Sequence, residues 1–122
     1  MKYLILIQSN PRSLAVWDKL SDDERIAFGK GHMNLNAEME EAGVRVASEG
    51  LADPSLAKWV SVRDGRTIAS DGPYVEVKEH LAGFYLIDVP SMADAIAWAA
   101  KVPDAANTEV EVRPILDMSA WE

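Results

Sequence analysis

Apolar residues in this chain gather into a few short runs, each ended by residues that turn or cap the backbone. Tyr3 to Ile7 is a continuous apolar run that stops at Asn10-Pro11, a turn signal. It does not alternate, so the strand it predicts is buried on both faces. Ser21-Asp22-Asp23-Glu24 has the spacing of a capping box, in which the serine hydroxyl and the glutamate carboxylate satisfy each other's backbone N–H groups. Three acids in one first turn also complement the helix dipole. Phe28, His32, Leu35, Met39 and Ala42 then recur at intervals of four, three, four and three, which places them on one helical face. Gly43 suits the position just past the helix end. Gly29 and Gly31 oppose this helix, each by about 1 kcal/mol relative to alanine, and predict a kink or restart there.

Val44 to Leu51 predicts a second strand. Trp59 to Arg63 and Arg66 to Ser70 flank Asp64-Gly65, a two-residue loop that signals a tight hairpin. Ser70-Asp71-Gly72-Pro73-Tyr74 reads as a turn, and Gly83 to Val89 as another strand without alternation. Pro90 and Ser91 end it and cap a second helix with a stripe of Met92, Ile96 and Ala99, which Pro103 stops. Glu109 to Arg113 alternates, with Val110 and Val112 on one face. The order strand, helix, strand, hairpin, strand, helix, strand describes one α+β domain spanning residues 1–122, a split βαβ sheet with both helices on one side. The strands at 3–7 and 84–87 are apolar on both faces, and the chain has no further element to cover the second face. A second copy packed sheet to sheet is the economical cover, so a homodimer is expected.

An apolar fraction of 48% and a charged fraction of 26% are those of a folded globular chain. The net charge of −8 disfavours direct nucleic-acid binding, which needs clustered cations to neutralise phosphates, and docking on anionic lipid. With no cysteine, thiolate catalysis and cysteine-held metal centres are excluded. The first apolar run is too short for a signal peptide, and no stretch reaches membrane-spanning length. These features point to a cytoplasmic protein. His32 and His80 do not stand at a metal-ligand spacing, and phosphate loops, dinucleotide fingerprints and nucleophile elbows are missing. No cofactor is expected.

The stretch Ser70-Asp71-Gly72-Pro73-Tyr74 to Lys78-Glu79, followed by Leu81-Ala82-Gly83-Phe84-Tyr85-Leu86-Ile87-Asp88, resembles the signature of the YCII-related, DGPF-domain family. The resemblance extends through Val102-Pro103 and Glu109 to Pro114, and back to Glu40-Glu41-Ala42-Gly43 and the opening strand. Tyr74 stands where the family has phenylalanine, Ala82 replaces a glycine, and His80 stands where glutamine is usual, so His80 is not carried over as a functional residue. The resemblance implies a ferredoxin-like sheet with an extra hairpin, in a homodimer of the dimeric α/β-barrel type. It also implies a histidine–aspartate acid–base pair. His32, Leu35 and Ala42-Gly43 match the family's histidine frame, and Asp71 is the expected partner. Relatives linked to alternative sigma factors bring in regulation as well.

Two functions follow. In one, His32 with Asp71 transfers a proton on a small acidic or aromatic-derived substrate without a cofactor, as in elimination or isomerisation; an imidazole suits this because its unperturbed pKa is near ~6.5. In the other, the same pocket reads a ligand without turnover. Each residue also has a plainer role: His32 as a core histidine held by one hydrogen bond, Asp71 as a turn former.

Overall fold

The computed structural model describes residues 1–72 and 78–121. Pro73 and Tyr74, the second half of the turn expected at 70–74, lie outside the described residues. The elements in chain order are β1 (Lys2–Ser9), α1 (Pro11–Asp18), α2 (Asp22–Glu41), β2 (Arg45–Gly50), β3 (Lys58–Arg63), β4 (Arg66–Asp71), β5 (His80–Asp88), α3 (Met92–Ala99), α4 (Pro103–Asn107) and β6 (Glu111–Pro114). β2, β5, β1 and β6 form one antiparallel sheet in that order, and β3 and β4 form a separate two-stranded hairpin. Among the described residues neither sheet closes into a barrel, and no helix is long and apolar enough to cross a membrane.

The core lies on one face of the larger sheet. Tyr3, Ile5 and Ile7 of β1 and Tyr85 and Ile87 of β5 share a buried cluster with Leu35 and Met39 of α2 and Ala95 and Ala99 of α3. Alternation sends Leu4, Leu6, Phe84 and Leu86 to the other face. There Leu6 is buried and the other three are half-buried. α2 and α3 thus cover the same face, as the pattern requires.

The capping box at Ser21 and Glu24 forms in both directions. Gly43, at φ +73, takes the left-handed conformation after the helix. The expected break at Gly29 and Gly31 does not occur, and α2 runs unbroken for 20 residues. Packing of its apolar face outweighs the propensity cost. Asp64 (φ 51) and Gly65 (φ 73) both adopt positive φ, as a type I′ hairpin turn demands.

Two short helices depart from the expected order. Asn10-Pro11 is not a simple turn: Asn10 caps α1, accepting from the Ser13 backbone N–H, and Pro11 occupies its first turn. Pro103 does more than stop α3, because it opens α4. The stripe of α3 is also rotated from expectation. Ala95 and Ala99 are buried while Ile96 is 55% exposed, since the small residues let this helix lie close to the sheet.

An added Cβ at Gly29 meets nothing within 4 Å. Gly29→Ala should therefore stabilise the fold by about 1 kcal/mol, while Gly43→Ala should destabilise it by a similar amount because of its positive φ. Urea denaturation, with midpoints moving in opposite directions at constant slope, checks both.

Candidate active site

His32 reaches the inner face of the sheet because it falls between Phe28 and Leu35 on the packed side of α2. Tyr85 reaches the same place from β5, alternating with Ile87 toward the helices. Asp104 arrives from the first turn of α4. The three side chains form a row. His32 Nδ1 lies 2.5 Å from the Tyr85 hydroxyl and His32 Nε2 lies 2.8 Å from Asp104 Oδ1. An ionised carboxylate can only accept, so with Asp104 ionised Nε2–H donates to it, and in a neutral ring Nδ1 then accepts from Tyr85 O–H. The His32 and Tyr85 rings are close to parallel, 8° apart. Phe28 packs edge-on to His32, and Trp17 edge-on to Phe28.

Burial, and secondarily the negative charge of Asp104, pushes the Tyr85 hydroxyl up to about 12. Both causes act against the phenolate, which would be a second anion in a site largely removed from water.

Behind this row lies a polar brace. Asn36 Nδ2 donates to the His32 carbonyl one turn back, at 3.0 Å. The Asn36 carbonyl oxygen accepts from the Ser48 hydroxyl and from Arg45 Nε. Arg45 also donates to Ser48 Oγ at 2.9 Å and pairs with Glu40 at 3.1 Å. The brace ties α2 to β2, and with them the two sides of a cleft of about 360 Å³ lined by His32, Tyr85, Asn36, Ser48 and Glu49. Gly83 forms part of its wall. A Cβ there would stand 3.0 Å from the Glu49 carbonyl oxygen, so glycine permits the close approach of β5 to β2. A second cleft, of about 620 Å³, is lined by Asp104 with Leu14, Trp17, Leu51 and Leu81. Ile7 and Ala82 line both clefts, so the Tyr85–His32–Asp104 row spans the partition between them.

The fold separates the two residues that sequence reasoning paired. Asp71 ends β4, with a side chain 84% exposed and ion-paired to Lys58. The carboxylate on His32 within the chain is Asp104, carried by α4, which packs against α2, whereas Asp71 belongs to a hairpin that is exposed throughout. His80 opens β5 opposite Ser9. Arg45 is half-buried in the brace. Tyr85 and Asp104 were missed, although partial signals exist. Tyr85 lies on the helix-facing register of β5, and Pro103-Asp104 has the composition of a helix first turn. Neither signal brings α4 to α2. Among the described residues, no three His, Asp or Glu side chains gather as a metal site.

Fold and site together define a small α+β domain with a half-buried histidine row beside a cleft. The model of the YCII-related domain matches residues 1–119. An uncharacterised protein of Rhizobium meliloti (strain 1021) is 32% identical over 117 residues, which cover 94% of this chain and 92% of that protein. The chain belongs to the YCII-related family.

The raised hydroxyl of Tyr85 makes a prediction about stability in alkali. An unfolded tyrosine titrates near ~10, whereas Tyr85 in the fold titrates at about 12. Between these values the unfolded chain releases a proton that the fold retains, so this contribution to stability is complete below the lower value and is lost as pH rises toward the higher one. In denaturant titrations the stability difference between wild type and Tyr85→Phe should be constant at neutral pH and shift against the wild type across that window.

Proposed function

We propose that this chain is a cofactor-free proton-transfer domain acting on a small molecule in the cleft beside Tyr85 and His32. The observation that carries this reading is the row itself, because both ring nitrogens of His32 are engaged before any substrate arrives. The group left to meet a substrate is then the Tyr85 hydroxyl. As a substrate C–H proton passes to the Tyr85 oxygen, the hydroxyl proton passes to His32 Nδ1, and the imidazolium is held by Asp104. The logic is that of a hydroxyl–histidine–aspartate relay. Because Tyr85 disfavours a free phenolate, the two transfers are coupled rather than sequential. Returning the proton to a neighbouring atom gives isomerisation; expelling a leaving group gives elimination.

Deuterium uptake from heavy water into a panel of small enolisable ketones and keto acids, followed by proton NMR, tests this with no natural substrate in hand. His32→Ala and Asp104→Asn should each slow uptake by roughly 10²–10⁴-fold, and Asp71→Asn should leave it unchanged. Nitrogen-15 spectra of the His32 ring should show the proton on Nε2 in the wild type and a mixed tautomer in Asp104→Asn. A second reading, a ligand-binding or regulatory module, is favoured by the fact that His32 is already satisfied. Saturable binding of panel members with no uptake in any of them would select it.

We also propose that the domain is a homodimer built on a ferredoxin-like sheet. The hairpin supports this, since two isolated strands are marginal in water and Val60 and Val62 are 66% and 67% exposed. Its three cations, Lys58, Arg63 and Arg66, outnumber its two acids, while the rest of the chain carries nine net negative charges. A second acidic copy is therefore a complementary surface for it. Light scattering should give twice the mass of one chain, falling to one chain in Val60→Asp/Val62→Asp. A monomeric wild type would reject the dimer.

A further inference from the structure

We infer that Gly31 is a positioning residue for the His32–Asp104 pair, acting through a direct contact with Pro103. The inference rests on the reading that this pair carries the chemistry. Gly31 precedes His32 in α2, and Pro103 precedes Asp104 in α4. An added Cβ at Gly31 would stand 2.9 Å from Pro103 Cγ and 3.8 Å from Pro103 Cβ. Carbon atoms in contact prefer about 3.5–4.0 Å, so a side chain at position 31 forces a shift at Pro103, the residue that opens α4. The bond from His32 Nε2 to Asp104 at 2.8 Å has little slack, because such bonds lie at about 2.7–3.2 Å.

A side chain at position 31 would displace α4 readily for a second reason. The helix has five residues, and its N-cap, Val102, makes no side-chain capping bond. What holds its first turn is the burial of Val102, 1% exposed, and the open notch at Gly31 leaves Pro103 room beside it without gripping it. The notch also accounts for a glycine in the middle of a helix, where propensity opposes one. Gly29, earlier in the same helix, has no such neighbour.

The test is the nitrogen-15 and proton spectrum of the His32 ring in four variants of the intact chain. In Gly31→Ala the Nε2–H resonance bonded to Asp104 should be lost and the ring should become a tautomer mixture. Adding Pro103→Ala deletes the Cγ that clashes and should restore the wild-type signature, including in the event that Gly31→Ala alone fails to fold. Pro103→Ala and Gly29→Ala alone should keep it. A folded Gly31→Ala with an unchanged His32 signature would overturn the inference. So would a double variant that stays perturbed while Pro103→Ala alone is normal. If the signature behaves as expected but His32→Ala leaves deuterium uptake unaltered, the proposed function falls and the positioning role stands.

Discussion

The packing of α2 onto β1 and β5 through Leu35 and Met39 determines where every group of the site lies. Both side chains are buried, at 3% and 0% exposure, in one cluster with Ile5 and Ile87. Truncating either to alanine costs about 2–5 kcal/mol, a large share of the roughly 5–15 kcal/mol that holds a domain of this size together. A single hydrogen bond contributes on the order of 1 kcal/mol. Hydrophobic packing therefore sets the distance between helix and sheet, and the His32–Tyr85 bond forms because that distance suits it. Asn36 and Arg45 then refine the rotation of α2 rather than its position.

What could be read directly from the chain was periodic and local. The capping box at Ser21, the Asp64-Gly65 turn and the face through Phe28, His32, Leu35 and Met39 all express spacing along the backbone, and all appear in the fold. The helices α1 and α4 were misread because proline ends one element and begins another with the same residue. At Asn10-Pro11 and Val102-Pro103 the structure uses it to begin a helix. The contact of His32 with Asp104 was not legible for a different reason. A carboxylate is short-ranged in effect but unconstrained in sequence, and 72 residues separate Asp104 from the histidine it meets. Tyr85 was hidden by composition, standing in an apolar strand where its ring fits the core and only its hydroxyl belongs to the site.

One carboxylate, Asp104, meets His32, and a second, Glu49, lines the cleft beside it. Asp104 approaches one nitrogen of His32, while the opposite nitrogen faces a hydroxyl that resists ionisation. The carboxylates lying further out, such as Glu40 and Glu38, are held by Arg45 and Lys101 at the surface, where ion pairs contribute little to stability. The separation matters because an acid–base group surrounded by free carboxylates would respond to salt and surface titration rather than to its substrate.

The hairpin of β3 and β4 contributes no residue to the buried core, and every residue in both strands is exposed. Its backbone bonds join neighbours in sequence, so it forms on the microsecond scale typical of hairpins and opens without disturbing the sheet. In a single copy, hydrogen exchange would divide the chain into two cooperative units, with amides of β1 and β5 protected up to global unfolding and those of β3 and β4 exchanging through local opening. One polypeptide thus carries two stabilities, and a stability measured on the sheet says nothing about how long the hairpin stays closed.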